Sequence, residues 1–221
     1  MNVKCEGRFK NFLKKHSDII EFKPDTPPHA QAIRVKGVSG SNSIELPRKS
    51  TEIELLEQIL NDADKIYIDT CALMETPIEK FFEKANPILK ELKKKIIVIL
   101  AVELELKKIA KPNDEKKYTP AQIKKAENVL ASDVLYPTKN EIEISGSDID
   151  DEGMADPIFM SIFGKCRRKH KMLLISRDYN LSYEILDMNK SKAVKGEDCM
   201  VCKIDNEGYL KYFETHNPKQ S

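Results

Sequence analysis

The sequence lacks any hydrophobic run that approaches the roughly 20 residues needed for a membrane-spanning helix. Its first residues, MNVKCEGRFKNF, contain no continuous apolar segment, so no signal peptide is expected. The net charge of the 221 residues is only +1, so the overall charge does not indicate a polyanionic partner. These absences favour a protein that does not enter membranes and that works in the cytoplasm.

The chain also lacks several motifs that would have assigned a chemistry directly. Its five cysteines are odd in number and scattered, which suits a reducing compartment better than a disulfide framework. Neither a P-loop nor a GxGxxG pattern occurs. Cys199 and Cys202 form a lone CxxC, and on a strand their side chains would point to opposite faces. A zinc site and a nucleotide-binding loop are therefore not expected.

Positive charge is clustered in three places: KNFLKK at 10–15, Lys93–Lys95, and KCRRKHK at 165–171. Such clusters occur as solvated helix faces and helix ends, where cations are mildly favourable. They also occur where a protein contacts a nucleic-acid backbone. Sequence alone gives the two interpretations equal weight.

The first 50 residues differ in pattern from the rest of the chain. Helical spacing of apolar residues predicts a short basic helix around Phe9–His16, and a Pro-rich stretch follows it. Alternation at Ile33–Val35 and Ile44–Leu46 predicts a small β-hairpin. We therefore expect an N-terminal extension, residues 1–50, and a separate domain at 51–215.

From residue 51 onward, predicted helices and strands alternate. The apolar runs in KIYID, IIVIL and KMLLIS do not alternate with polar residues, which is typical of strands buried on both faces. Further strands are predicted at DVLY (133–136), CMVCKI and GYLKYF, and the last two are expected to pair as a hairpin. Helices are predicted at 51–62, from Thr76 to Leu92, at 102–110, from Thr119 onward, over ADPIFMSIF and near 181–186. This order predicts an α/β fold with a mainly parallel sheet and helices on both faces.

Four carboxylates are expected where these strands end or the next helix begins: Asp69, Glu105, Asp156 and Asp178. In an open parallel sheet, the carboxyl ends of the strands meet at one edge, which is where ligands bind. Four acids gathered there would repel one another, and a hard divalent cation with oxygen ligands, Mg²⁺ or Mn²⁺, would offset that repulsion. Periodicity leaves Glu103 and Glu105 as equal candidates for the second acid.

Most of these acids also have a purely structural explanation. Asp156 precedes Pro157 and would make a good N-cap, Glu105 would favour the positive end of its helix, and Asp178 would form an Asx-turn. Asp69 is harder to explain in this way, because burying a carboxylate beside Ile68 costs on the order of several kcal/mol unless something compensates. The predicted convergence of the four therefore favours a functional site.

The segments IYIDTCALM, VELEL, ADPIFMSIF and LLISRDYNL together resemble the PIN-domain nucleases over residues 64–187. The resemblance implies a three-layer α/β/α sandwich with acidic residues around Mg²⁺ or Mn²⁺. Carried over, the metal-binding and catalytic acids are Asp69, Glu105, Asp156 and Asp178, with Ser176 at the family's small hydroxyl position; both Glu103 and Glu105 precede a leucine, as the family's glutamate does. Pro157 departs from the family's pattern, and the acidic loop with Asp148, Asp150 and Asp151 is an alternative source of a ligand.

The resemblance implies an endoribonuclease that hydrolyses single-stranded RNA with a divalent metal ion. It also leaves open an antitoxin or another protein partner, and a homodimer. One alternative is a PIN-like module that binds RNA or protein without catalysis, and all four acids being present argues against it. Another is a structure-specific DNA nuclease of related fold, which normally carries more acids and a helical arch. A two-aspartate phosphatase fits worse, because Cys71 stands where its second aspartate would be.

Overall fold

The computed structural model describes residues 20–22, 33–35, 51–112, 117–146, 155–191 and 196–214. By its internal contacts, the chain divides into two units, Met1–Lys49 and Ser50–Ser221. In the smaller unit, strands β1 (Ile20–Phe22) and β2 (Ile33–Val35) pair antiparallel. The strand predicted at Ile33–Val35 is therefore present. The strand predicted at 44–46 and the predicted basic helix lie outside the described residues.

The larger unit is an α/β fold built on one six-stranded sheet. Its strands are β3 (Lys65–Ile68), β4 (Ile96–Ile99), β5 (Ile142–Ser145), β6 (Met172–Ile175), β7 (Met200–Ile204) and β8 (Leu210–Tyr212). Its helices are α1 (Thr51–Asp62), α2 (Thr70–Leu73), α3 (Ile78–Leu92), α4 (Leu100–Ala110), α5 (Pro120–Ala131), α6 (Ala155–Cys166) and α7 (Tyr179–Asp187). Among the described residues, none of the helices is both long and apolar enough to cross a bilayer.

The sheet has the strand order β5-β4-β3-β6-β7-β8, and every neighbouring pair is parallel except β7 and β8. Every residue of β4 and β6 is buried, so protein covers both faces of the central strands. This confirms the predicted α/β/α architecture. In the register of β3 and β6, Ile68 lies opposite Ile175, so the residues that follow these two strands meet at one edge of the sheet.

Aromatic packing fixes α6 against strand β3. The Tyr67 ring lies with its centroid 6.3 Å from that of Phe159 and 5.5 Å from that of Phe163. Both phenylalanines are fully buried, one turn apart on the inner face of α6. Each such ring pair contributes about 0.5–1.5 kcal/mol beyond the burial of apolar area. The start of α6, which carries Asp156, is thereby held beside the carboxyl end of β3.

The strand predicted at DVLY is wrong, because Asp133–Leu135 forms a 3₁₀ turn. The Ser132 hydroxyl accepts from the Val134 N–H at 3.4 Å, and the Asn140 side-chain amide donates to the carbonyls of Asp133 and Val134 at 2.9 and 3.0 Å. These bonds pair the polar backbone groups of the turn within the loop itself, and β5 forms the edge strand of the sheet. The alternating EIEIS segment, which carries β5, is the signal that the sequence prediction missed.

Three helix boundaries also differ from expectation. Helix α4 begins at Leu100, directly after β4, so Glu105 lies in its second turn rather than its first. Helix α6 begins at Ala155, so Asp156 is inside the helix and is not its N-cap. Helix α3 has Pro77 at its N-cap and begins at Ile78, one residue later than the predicted proline start. The short helix α2, which was not predicted, separates β3 from α3.

Candidate functional site

Asp69 lies directly after β3 and is only 4% exposed. Its Oδ1 accepts from the Thr70 N–H at 2.6 Å, which makes Asp69 the N-cap of α2. Its Oδ2 accepts from the Cys71 thiol at 2.9 Å and from the Ser176 hydroxyl at 3.0 Å. The side chain is therefore held in one orientation by donors from the ends of two neighbouring strands.

Ser176 links Asp69 to the acid that follows β6. Its hydroxyl donates to Asp69 and accepts from the Asp178 N–H at 3.0 Å, and the residue is fully buried. The Asp178 Oδ1 accepts from the Leu181 N–H at 2.9 Å, so Asp178 is the N-cap of α7. The structural role expected for Asp178 is present, and it does not move the residue away from the carboxyl end of the sheet.

The structure separates the two candidate glutamates of α4. The Thr70 hydroxyl donates to Glu105 Oε2 at 2.6 Å, which joins α4 to the residue beside Asp69. Glu103 instead accepts from Lys107 Nζ at 2.6 Å, one turn further along the same helix. Glu105 therefore faces Asp69, and Glu103 faces a lysine.

Asp156 lies at the surface, at the start of α6. Enough protein surrounds its carboxyl group to raise its pKa, and the negative charges of Asp178, Glu105 and Glu184 raise that pKa further. The structure thus brings Asp156 within electrostatic reach of two other predicted acids. It also adds Glu184, on α7, which the sequence prediction missed because nothing local distinguishes it from the chain's other glutamates.

The pKa values of Asp69 and Glu105 are also raised above their ordinary values. Burial is the main cause for Asp69, and the charge of Asp156 adds to it, while the bonds from Cys71, Ser176 and Thr70 act in the opposite direction. Burial is again the main cause for Glu105; the Thr70 hydrogen bond lowers its pKa and the charge of Asp69 raises it. The predicted acids therefore form one electrostatically coupled cluster at the sheet edge.

The fit of this cluster to a metal ion depends on donor type and spacing. Within the described part of the chain, no three His, Cys, Asp or Glu side chains lie close enough together to hold one ion jointly. Mg²⁺ is commonly bound through only one or two carboxylates and keeps several waters. The all-oxygen donor set and the mutual repulsion of its charges fit a hard divalent cation held in that way.

Two of the basic clusters supply fewer surface cations than the sequence suggested. Lys94 donates through Nζ to the carbonyls of Leu60, Asn61 and Ala63 at the end of α1. Arg167 is only 3% exposed. Both side chains are therefore part of the folded interior or of a helix cap, and the basic segment at 10–15 lies outside the described residues.

Neither a protein-family model nor a curated protein matches the chain. Among solved structures, the chain is similar to the PIN domain endonuclease Utp24, with 15% sequence identity and a TM-score of 0.40. That alignment covers 69% of this chain and 93% of the other. A likeness at this level does not itself establish an activity, so a function has to be inferred from the geometry of the acids.

Proposed function

We propose that the larger unit is a divalent-metal-dependent endoribonuclease that hydrolyses phosphodiester bonds of single-stranded RNA. The observation that carries this proposal is the buried carboxylate of Asp69, oriented by three hydrogen bonds at the carboxyl end of a parallel sheet. Its pKa is raised by burial and by the charge of Asp156, so the ionised cluster would be stabilised by a bound cation. The sequence resemblance to PIN-domain nucleases supports the same chemistry.

In this proposal, Asp69, Glu105, Asp156 and Asp178 together surround Mg²⁺ or Mn²⁺, with one or two of the carboxylates bound to the ion directly and the others bound through its water ligands. A bound divalent cation would stabilise the negative charge that develops on the phosphate and favour deprotonation of water. Ser176 and Thr70 act as positioning residues, since each donates a hydroxyl hydrogen bond to an acid and fixes its orientation. No side-chain nucleophile is required.

The first test is Asp69→Asn, assayed on RNA and on DNA with Mg²⁺, with Mn²⁺ and with EDTA. The wild-type protein is expected to cleave RNA only when a divalent ion is present, and the variant is expected to lose that cleavage. Asparagine keeps an oxygen that can accept from the Thr70 N–H and removes a buried charge, while its NH₂ group takes the place of the oxygen that accepts from Cys71 and Ser176. The metal-free variant should remain folded, which circular dichroism verifies. Full cleavage by a pure Asp69→Asn preparation would refute the site.

The second test compares Glu105→Gln with Glu103→Gln. Both substitutions remove one charge from α4, so each controls for the other. We expect the larger loss of cleavage from Glu105→Gln, because Glu105 is bonded to the residue beside Asp69 and Glu103 is paired with Lys107. An equal or larger loss from Glu103→Gln would show that the assignment of the second acid is wrong.

A second candidate function is a PIN-like module that binds RNA or a protein without catalysis. The observation that favours it is the spacing of the described acids, no three of which are placed to coordinate an ion together. The metal-dependent assay separates the two functions, because a non-catalytic module would bind RNA or a protein and leave RNA intact. Preferential cleavage of DNA would instead support a structure-specific DNA nuclease.

A further inference from the structure

An exposed pair of tyrosines lies on α7, beside the acidic cluster. Tyr179 is 50% exposed and Tyr183 is 43% exposed. Their rings are nearly parallel, with an angle of 15° between the planes and 6.4 Å between the centroids. Because the two residues are four apart in a helix, they share one face. The two stacked rings leave about half of each side chain open to solvent.

The tyrosine pair is packed against a further ring and shares α7 with two acids of the cluster. The Phe213 ring packs against Tyr179 at a centroid distance of 5.5 Å, and Phe213 is itself fixed by its N–H bond to the Val201 carbonyl at 2.9 Å. Tyr179 directly follows Asp178, and Tyr183 directly precedes Glu184, whose charge reaches Asp156. The backbone of α7 therefore connects the two rings directly to Asp178 and Glu184.

Positive charge lies beside the tyrosine pair. Lys190 Nζ lies 5.3 Å from the centre of the Tyr183 ring and 2.9 Å from Asp187 Oδ1. Arg177, which precedes Asp178, is about half exposed and is paired with Glu75 at 2.6 Å. The Lys190–Asp187 pair is exposed on both sides and contributes little to stability, so a phosphate group could replace Asp187 as the partner of Lys190. The combination of flat rings and adjacent cations matches a base and its backbone phosphate.

We propose that Tyr179 and Tyr183 form a stacking platform for the bases of a single-stranded nucleic acid, placing its backbone at the acidic cluster. This inference rests on the proposed function only in taking the bound strand as the one that is cleaved, because stacking itself does not require cleavage. Stacking on an aromatic ring accepts any base, since every base has a π face. The platform would therefore favour single strands over duplexes and select little for sequence.

The test is a binding measurement that does not require cleavage. Fluorescence anisotropy of a labelled single-stranded RNA of mixed sequence is measured in EDTA, with Asp69→Asn as the starting protein. Adding Tyr179→Ala or Tyr183→Ala is expected to raise Kd by about 5- to 150-fold, the range found when a stacking aromatic is removed. Tyr179→Phe and Tyr183→Phe keep the rings and should leave Kd within about twofold, because stacking does not need the hydroxyl groups.

Two controls make the result specific. Tyr136 is 52% exposed and lies in the loop between the 3₁₀ turn and β5, outside α7, so Tyr136→Ala should leave Kd unchanged. An RNA of the same length with abasic sugars should bind the parent protein more weakly and should show no further loss with the alanine variants. Circular dichroism of each variant verifies folding.

The outcomes separate this inference from the proposed function. Tyrosine-dependent binding by a protein that never cleaves RNA would support the platform and refute the nuclease. Metal-dependent cleavage with Kd and KM unaffected by the alanine variants would support the nuclease and refute the platform. The platform is also refuted if the parent protein binds no single strand, or if the alanine variants change only the sedimentation coefficient, as a surface between two copies would.

Discussion

Thr70 donates to two of the candidate acids, and the removal of its hydroxyl is the most direct test of how the site is organised. Thr70 is 4% exposed; its N–H donates to Asp69 Oδ1 and its Oγ1–H donates to Glu105 Oε2, both at 2.6 Å. Thr70→Val keeps the shape of the side chain and the backbone bond, and removes only the hydroxyl. The substitution therefore isolates the bond to Glu105.

The expected size of the effect follows from the charge on the acceptor. A hydrogen bond to an ionised group contributes about 1.5–3 kcal/mol, and its loss leaves a half-buried carboxylate without that donor. Because this bond lowers the pKa of Glu105, the variant's Glu105 pKa should be higher than in the wild-type protein. We expect the free energy of unfolding at neutral pH to fall by about 1.5–3 kcal/mol. Affinity for Mn²⁺ should fall by about 10- to 100-fold, as is typical when a residue that orients a metal ligand is replaced.

Urea denaturation and Mn²⁺ titration measure these two quantities. Thr70→Ser restores the hydroxyl and should recover most of the metal affinity. Glu105→Gln completes a double-mutant cycle. In the Glu105→Gln background, Thr70→Val should lower the free energy of unfolding by less than it does in the wild-type protein, where the glutamate is ionised. Strictly additive effects of the two substitutions on stability and on Mn²⁺ affinity would show that the hydroxyl does not act through Glu105.

Two further predictions concern the remainder of the larger unit. Lys94→Met removes three bonds to carbonyls at the end of α1 and should lower the free energy of unfolding by about 1.5–3 kcal/mol, measured by urea denaturation, whereas Lys95→Met, at an exposed neighbour, should have little effect. Burial raises the pKa of Cys199 to about 11 and that of Cys202 to about 12, so at pH 8 at most about one thiol in a thousand is ionised. Both should react with iodoacetamide more slowly than the partly exposed Cys166, as peptide mass spectrometry can measure, and their reaction should accelerate as the pH rises towards 11. Equal modification of all three at pH 8 would contradict this ordering.

The central sheet could be predicted from the sequence because its strands have a clear physical signature. IIVI and MLLI are short, apolar throughout and bounded by charged residues on at least one side, which is what burial on both faces requires. Asp69 and Asp178 were then placed correctly, since each follows directly from where its strand ends. The hairpin predicted at CMVCKI and GYLKYF is also present, as β7 and β8.

The parts that sequence reasoning missed depend on contacts between distant residues. Thr70 and Glu105 are 35 residues apart, and no local pattern shows that their side chains meet. The choice between Glu103 and Glu105 had one local signal. A glutamate four residues before a lysine forms a favourable pair on an exposed helix face, and Glu103 with Lys107 has that spacing. Glu105 stands three residues before Lys108, a spacing that also favours an ion pair, so the contact with Thr70 is what distinguishes the two glutamates.

The charge of Asp69 is the feature that folding alone does not explain. As an N-cap, aspartate contributes about 1 kcal/mol, and asparagine or serine caps a helix about as well. Burying the ionised carboxylate is unfavourable, and its raised pKa reflects that cost. A neutral residue would satisfy the Thr70 N–H without the penalty of charge, and the bonds from Cys71 and Ser176 offset only part of that penalty, since the pKa of Asp69 stays raised. Asp178 differs, because it is only partly buried and its capping role accounts for it. Asp69 is therefore the strongest indication of a cation at this edge of the sheet. The other acids support the same inference because their charges act at the same place.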